Sequence, residues 1–401
     1  MKKTLDHLAL FGGLPAFDEK LYVGRPNIGD RSKLMERLNL VLDRRYFTND
    51  GLFVRDFEHK IADFVGVKYC IAVCNATIGL EIAIRSLGLS GEVIIPSMTF
   101  IATAHALEWQ KITPIFCDIN PETWNIEPSQ IERLITPRTT GIIGVHLFSR
   151  PCDIKALKKI ATAHNLKLLF DAAHAFGCSV NGQMIGNFGD AEVFSFHATK
   201  FFNSLEGGAI VTNNDELAKK MHMMHNLGFS NYDEVTSLGI NGKMNEFSAA
   251  MGLTSFESLN NIIEVNYNNY QKYKKELAEL PGVSLIDYNT KEKCNFHYIV
   301  LNIYDCLTHI NRDQLVKVLW AENVIARRYF YPGCHRSEPY RSNYRYRECR
   351  LPVTEKIASQ LLSLPTGMSM DDQKINKLCD IVKYCVAHGS EINYRLSSLK
   401  I

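Results

Sequence analysis

From Lys68 to Thr212, short apolar runs alternate with longer segments whose apolar residues recur at helical spacing. The runs Lys68–Val73, Glu92–Ile95, Thr113–Cys117, Gly141–His146, Leu166–Phe170, Ala191–Phe196 and Gly208–Thr212 predict strands. Between them, Thr77–Leu87, Phe100–Trp109 and Ile154–His164 predict helices. Strands separated by helices of this length are βαβ units, and their near-continuous apolar character fits a sheet covered on both faces. The expected fold is therefore α/β, with a mostly parallel central sheet and helices on both faces. A helical stretch from Met244 to Leu280 turns from small and apolar (Ala249, Ala250, Met251) to polar (Asn266, Asn268, Asn269), as a connecting helix would. Beyond Pro281 and Gly282 come strand patterns at Val283–Ile286 and Phe296–Ile303, a helix near Arg312–Glu322, and a further run at Val324–Tyr329. This reads as a smaller α+β unit. The expected division is a large domain over residues 1–262 and a small C-terminal domain over 263–401, with the residues before Asp30 irregular.

Composition narrows the class. The chain has 401 residues, 46% hydrophobic and 22% charged, enough for a large core in two domains. A net charge of +2 gives no electrostatic footprint for nucleic acid or an anionic membrane, and the basic run Arg341–Arg350 reads as a solvated loop. The eleven cysteines form no CxxC pair, and several lie in apolar runs (Cys117, Cys178, Cys385). Free buried thiols in a reducing cytosol are the expectation, with no metal site. The start of the chain meets Asp6 and His7 too soon for a signal peptide, and no apolar run approaches a membrane span. A cytoplasmic location is expected.

The most informative residue is Lys200, which closes the run Val193–Lys200 just ahead of Glu206, Gly207 and Gly208. Asp171 closes an earlier apolar strand and precedes Ala172, Ala173 and His174. An amine at one strand end and a carboxylate at another meet the needs of pyridoxal phosphate. The amine binds the aldehyde, and the acid keeps the pyridine nitrogen protonated so that the ring accepts electrons. Alone, Asp171 also reads as a helix cap or a magnesium ligand, but no GxxxxGK[ST] loop accompanies it. Asn75, Ala76 and Thr77 lie between a strand and a helix; alone they are a plain N-cap, and beside Lys200 they are a phosphate site. Phe100 follows a strand and is either core or a stacking partner for a flat ring. Phe100, Asp171, Ser195 and Lys200 all fall at the carboxyl ends of strands, where open α/β sheets bind ligands. No GxGxxG opens the first βα unit, which argues against a nicotinamide enzyme.

The segments NATIGLEIAI, PSMTFIATAHA, FCDINPETWNIEP, GVHLFSRPCDI, LLFDAAHAFG, GDAEVFSFHATK, EGGAIVTNND and LGINGKMNEFSAAMG together resemble the DegT/DnrJ/StrS sugar aminotransferases. The resemblance runs from about Arg25 to Pro365 and implies a fold-type I pyridoxal-phosphate enzyme acting on nucleotide-linked ketosugars. It implies that Lys200 carries the cofactor and that Asp171 pairs with its ring nitrogen. Phe100 would then stack on the ring, and Ala76, Thr77 and Ser195 would hold the phosphate. Asn241 would reach that phosphate from the second subunit of a homodimer. His174 stands where the family often has Gln, as a contact to the cofactor. Phe148, with Ser149, replaces the usual Tyr–Gly on the sugar side, and His335 in YPGCH falls near the sugar nucleotide. The resemblance further implies L-glutamate as donor, pyridoxamine phosphate as the intermediate form of the cofactor, and a role in O-antigen, lipopolysaccharide or other glycan synthesis. The run of residues is most like enzymes that convert dTDP-4-keto-6-deoxy-D-glucose to dTDP-4-amino-4,6-dideoxy-D-glucose, with a 3-keto sugar as the alternative. The sugar-dehydrating branch carries histidine in place of Lys200. A non-catalytic regulator would have no need to keep Lys200, Asp171 and Asn241 together.

Overall fold

The computed structural model describes residues 2 and 4–398. Its centre is a seven-stranded sheet of β1 (Tyr69–Val73), β2 (Glu92–Pro96), β3 (Thr113–Cys117), β4 (Thr139–Val145), β5 (Lys167–Asp171), β6 (Ala191–Ser195) and β7 (Gly208–Thr212). The spatial order is β1-β7-β6-β5-β4-β2-β3. Neighbours pair in parallel except β7, which runs antiparallel to both β1 and β6. Successive side chains on these strands enter opposite cores, as the two-residue period of a strand requires. Phe170, Phe194 and Ala209 join one apolar cluster; Leu169, Val193 and Ile210 join the other. Helices cover each face. The first cluster takes Phe57 and Ile61 from α2 (Leu52–Val65), which follows α1 (Arg31–Arg44). The second takes Leu80 from α3 (Ala76–Ser86) and Leu107 from α4 (Ile101–Glu108). α5 (Ile154–Ala163) returns to the first face with Leu157, and α6 (Asp215–His225) to the second with Met221.

The connecting helix expected over Met244–Leu280 is two helices, α7 (Glu246–Glu257) and α8 (Leu259–Leu277), broken at Ser258. Asn245 caps α7 by accepting the Ser248 N–H. The expected domain division at residue 262 falls inside α8 rather than in a linker. The C-terminal unit is an antiparallel sheet of β8 (Val283–Leu285), β9 (Ile299–Ile303) and β10 (Leu361–Leu364), with β9 central and buried throughout. The strand expected over Val324–Tyr329 is divided: Val324 and Ile325 pair in parallel with Leu21 and Tyr22, and Arg327 makes an antiparallel bridge to Ser363. The N-terminal segment thus joins the C-terminal unit at Leu21 and Tyr22 and reaches the large unit at Asn27, whose amide bonds the Phe201 carbonyl. No helix of the described residues is long and apolar enough to cross a membrane, and no group of three His, Cys, Asp or Glu among them could hold a metal ion.

Candidate active site

A cavity of about 630 Å³ opens over the carboxyl ends of β1, β5 and β6. Ala76, Thr77, Phe100, Asp171, His174, Ser195 and Lys200 all line it. Each arrives there for a local reason. Strand β5 ends at Asp171, which is 5% exposed. Its carboxylate accepts bonds from the Thr103 hydroxyl (2.7 Å) and the Ala173 N–H (3.1 Å). Burial raises its pKa, and those two bonds, with Lys200 nearby, pull it back.

Lys200 follows β6 in a tight turn whose N–H bonds to the His197 carbonyl. Its amine donates to the Tyr298 hydroxyl at 3.2 Å. Burial pushes the amine down to about 8, against the opposing attraction of Asp171. An amine so poised is a usable base near neutral pH.

The start of α3 is the second element. Asn75 caps it by accepting the Ile78 N–H at 2.9 Å, and its carbonyl takes the Gly79 N–H. Among the described residues nothing bonds the N–H groups of Ala76 and Thr77, the orphan donors that every helix start leaves. A Cβ at Gly208 would stand 2.8 Å from the Ala76 nitrogen. Glycine there lets β7 run close beneath the helix start and leaves an anion-sized cup with the Ser195 hydroxyl beside it.

The remaining wall comes largely from aromatic side chains. His174 packs on Tyr298 (centroids 4.4 Å apart), Phe330 (5.8 Å) and Phe148 (6.0 Å). Its Nδ1 accepts the Phe148 N–H at 3.2 Å, which leaves Nε2 as the protonated nitrogen. Burial, Lys200 and His297 hold its pKa well below the usual histidine value, so it is a neutral donor. Phe100 stands half exposed at the opening, its ring 6.1 Å from Phe330.

Three expected residues lie elsewhere. Phe148 is buried behind His174 in a left-handed conformation (φ 52°); it shapes the wall without lining it. His335 is fully buried, Nδ1 2.6 Å from the Ser97 hydroxyl and Nε2 3.1 Å from Glu355. Both ring nitrogens are spent within the protein, so the structure does not bring His335 to the cavity. Asn241 is exposed and outside its own chain's cavity, beside residues 227–240 where Leu227, Tyr232, Val235, Leu238 and Ile240 also face solvent.

Sequence reasoning missed His297, Tyr298, Arg327 and Phe330 on the lining. The signal for the first two was the run Asn295–Leu301, a histidine and a tyrosine heading an otherwise apolar strand. Arg327 carries a charge, and among the described residues its guanidinium has no carboxylate partner, only the Tyr329 ring at 5.3 Å.

The model of the DegT/DnrJ/EryC1/StrS aminotransferase family matches residues 29–383. The chain belongs to that family. Aminotransferases of this family depend on pyridoxal phosphate, and the residues present fit it: two unbonded N–H groups at a helix start for a phosphate, a buried acid and a half-buried amine. The chain is 35% identical to the dTDP-4-amino-4,6-dideoxy-D-glucose transaminase of Shigella dysenteriae, over 94% of this chain and all of that protein. It is 30% identical to the dTDP-3-amino-3,6-dideoxy-alpha-D-galactopyranose transaminase of Aneurinibacillus thermoaerophilus, over 89% of this chain and 96% of that one. Among solved structures, DesI in the presence of its TDP-sugar product superposes with a TM-score of 0.94 at 47% identity, covering 98% and 99% of the two chains. NtdA of Bacillus subtilis with bound cofactor PMP superposes at 0.82 with 26% identity, covering 96% and 90%.

Proposed function

We propose that this aminotransferase moves the amino group of L-glutamate to C4 of dTDP-4-keto-6-deoxy-D-glucose, giving dTDP-4-amino-4,6-dideoxy-D-glucose for a surface polysaccharide or other glycan. The chemistry rests on one observation: a half-buried lysine amine of lowered pKa and a buried, hydrogen-bonded aspartate share one cavity. The choice of sugar is supported by the likeness to the Shigella transaminase and to DesI with its TDP-sugar product.

Lys200 would hold the cofactor through Nζ, Asp171 would pair with its ring nitrogen, and Phe100 would cover one ring face. Ala76, Thr77 and Ser195 would hold the phosphate. Pyridoxal phosphate, when bound, supplies an aldehyde that condenses with amines and a ring that takes up the electron pair of a broken C–H bond. Lys200 Nζ, once released, accepts the proton from the donor's Cα in the first half-reaction and delivers a proton to the sugar's C4 in the second. Tyr298 gives the released amine a hydroxyl to rest against, 3.2 Å away. Asp171, held acceptor-ready by Thr103 and the Ala173 N–H, fixes a positive charge at the ring nitrogen. His174, a neutral donor, offers Nε2–H to the cofactor. Asn241 lies on an exposed apolar surface suited to a second copy of the chain, and in a homodimer it would complete the phosphate site of the partner. The eleven free thiols suit a cytoplasmic enzyme.

The test is direct. The protein is incubated with L-glutamate and, in separate samples, dTDP-4-keto-6-deoxy-D-glucose or its 3-keto isomer, and NMR locates the new nitrogen. Nitrogen on C4 is the expected result. Nitrogen on C3 of a 3-keto isomer, with the 4-keto sugar untouched, would move the assignment to the second reading, which the Aneurinibacillus relative favours. No amination of either sugar would overturn both.

A further inference from the structure

Residues 4–28 precede the part of the chain that matches the family model, and they join the C-terminal unit to the turn that carries Lys200. One end is fixed on the C-terminal unit. Glu322 is fully buried, and its carboxylate accepts the N–H groups of Ala9 (2.8 Å) and Ala16 (2.7 Å) and pairs with Lys2 at 2.9 Å. Leu21 and Tyr22 then add a short parallel strand to Val324 and Ile325. The other end lies on the lysine turn. Gly24 has φ 76°, and a Cβ there would stand 2.7 Å from the Thr199 carbonyl oxygen and 2.9 Å from the Thr199 Cβ. Asn27 is 6% exposed; its amide donates to the Phe201 carbonyl at 2.8 Å, and its own carbonyl receives the Asn203 amide at 2.8 Å. Between these fixings Val23 and Gly24 line the cavity itself.

The turn that carries Lys200 is anchored on its C-terminal side by the buried Phe201 and Phe202 and by the Ser255 hydroxyl on the Asn203 carbonyl, while residues 197–200 themselves are only half-buried. It is an irregular stretch between β6 and β7, closed by a few backbone bonds. A side chain that must act within hydrogen-bond reach needs a backbone held to a fraction of an ångström, which loops alone seldom give. The segment over Gly24–Asn27 grips residues on both sides of the lysine, and Glu322 ties that grip to the C-terminal unit.

We propose that the N-terminal segment is part of the active site: Gly24 and Asn27 are positioning residues that clamp the Lys200 turn, and Val23 walls the cavity. The clamp acts through Lys200, so it rests on the function proposed for that amine. It also ties together two of the walls between which substrate must sit.

Lys200 reports on the clamp through its own reactivity. The titratable groups that face it are Asp171, His174, His297 and Tyr298, none on the N-terminal segment. A change in the lysine's titration after a substitution at Gly24 therefore reports displacement of the turn, not a lost charge. The experiment compares wild type, Gly24→Ala, Asn27→Ala and Lys200→Ala. In the cofactor-free protein, trinitrobenzenesulfonate labels Lys200 across a pH series, and mass spectrometry counts the labelled peptide. In the loaded protein, kcat and KM are measured for both substrates, with thermal melting alongside. Displacement admits water, so the labelling midpoint should rise towards that of a free lysine in Gly24→Ala, and kcat should fall at least tenfold with KM for glutamate within twofold. Asn27→Ala should shift both in the same direction by less. Unchanged midpoint and kcat in both variants, with Lys200→Ala inactive, would overturn the clamp alone. If Lys200→Ala keeps its activity, the function proposed for the amine fails instead. A fall in melting temperature with no change in midpoint or kcat assigns the segment a merely structural role and also overturns the proposal.

Discussion

The wall that the central sheet contributes holds Asp171, Ser195 and Lys200 at or just beyond strand ends, whereas the facing wall takes Tyr298, Arg327 and Phe330 from the C-terminal unit. On the sheet side Asp171 and the start of α3 meet partners from the sheet's own unit, and Lys200 reaches across to Tyr298. Thr103 and the Ala173 N–H fix Asp171, and Asn75 fixes the start of α3. On the facing side the contacts are aromatic faces and one arginine without a carboxylate partner among the described residues. The first wall suits a resident group of fixed shape. The second suits ligands that come and go, since stacked rings and a free guanidinium accept more than one partner. Substitutions should separate the walls: those on the sheet side should lower kcat, and those on the facing side should raise KM.

The largest effect belongs to Lys200. A placed base is worth roughly 10²–10⁴-fold, and the role proposed for this one includes holding the cofactor. Lys200→Ala should lower single-turnover amine formation by at least that range, with no visible absorbance from a lysine-bound cofactor. Asp171→Asn should come next, at about 10²-fold in kcat, because the amide fixes no charge at the ring nitrogen. If Asp171→Asn instead raised KM at constant kcat, the division of labour between the walls would be refuted.

The sheet-side wall was also the legible one. Periodicity gave six of its strands nearly to the residue, and a strand end is a place where an α/β fold exposes polar groups. Asp171, Lys200 and the Ala76–Thr77 pair follow from that rule joined to the chemistry each can do. The antiparallel run of β7 did not follow, because a buried strand is apolar throughout whichever way it points. Nor did the facing wall. Tyr298 and Arg327 reach the cavity only once β9 and the chain beyond Val324 are folded over the sheet; the polar head of the run Asn295–Leu301 marks Tyr298, but not what it will face. His335 shows the reverse failure. A histidine placed by resemblance near the sugar is turned inward by Ser97 and Glu355, two partners far from it in sequence.

The pH profile sharpens the same comparison. Burial moves Lys200 from its ordinary 10.5 to about 8, and Asp171 opposes that shift. The neutral amine is the form that accepts a proton, so the donor half-reaction should quicken as pH rises through about 8 and level off above it. Asp171→Asn removes the opposing attraction, which should carry this rising limb to lower pH. Arg327 should leave the limb where it is. Arg327→Gln should instead raise KM for an anionic substrate by about tenfold, the equivalent of roughly 1.4 kcal/mol of a lost charge-assisted bond. Measuring KM for glutamate and for the nucleotide sugar separately shows which anion the guanidinium serves.

The smallest catalytic effect should come from His335, although sequence likeness places it at the sugar. Its imidazole bridges the Ser97 hydroxyl near the end of β2 to Glu355, so it joins the sheet to the C-terminal unit behind the site. His335→Ala takes one hydrogen bond from the buried Ser97 hydroxyl and one from the half-buried Glu355, which keeps Arg336, a loss of about 1 kcal/mol that should appear as a lower melting temperature. KM for the nucleotide sugar should stay within about twofold, measured below the variant's melting range. A KM raised tenfold at unchanged stability would show that the ring turns out to meet substrate, and that the two walls share a recognition residue after all.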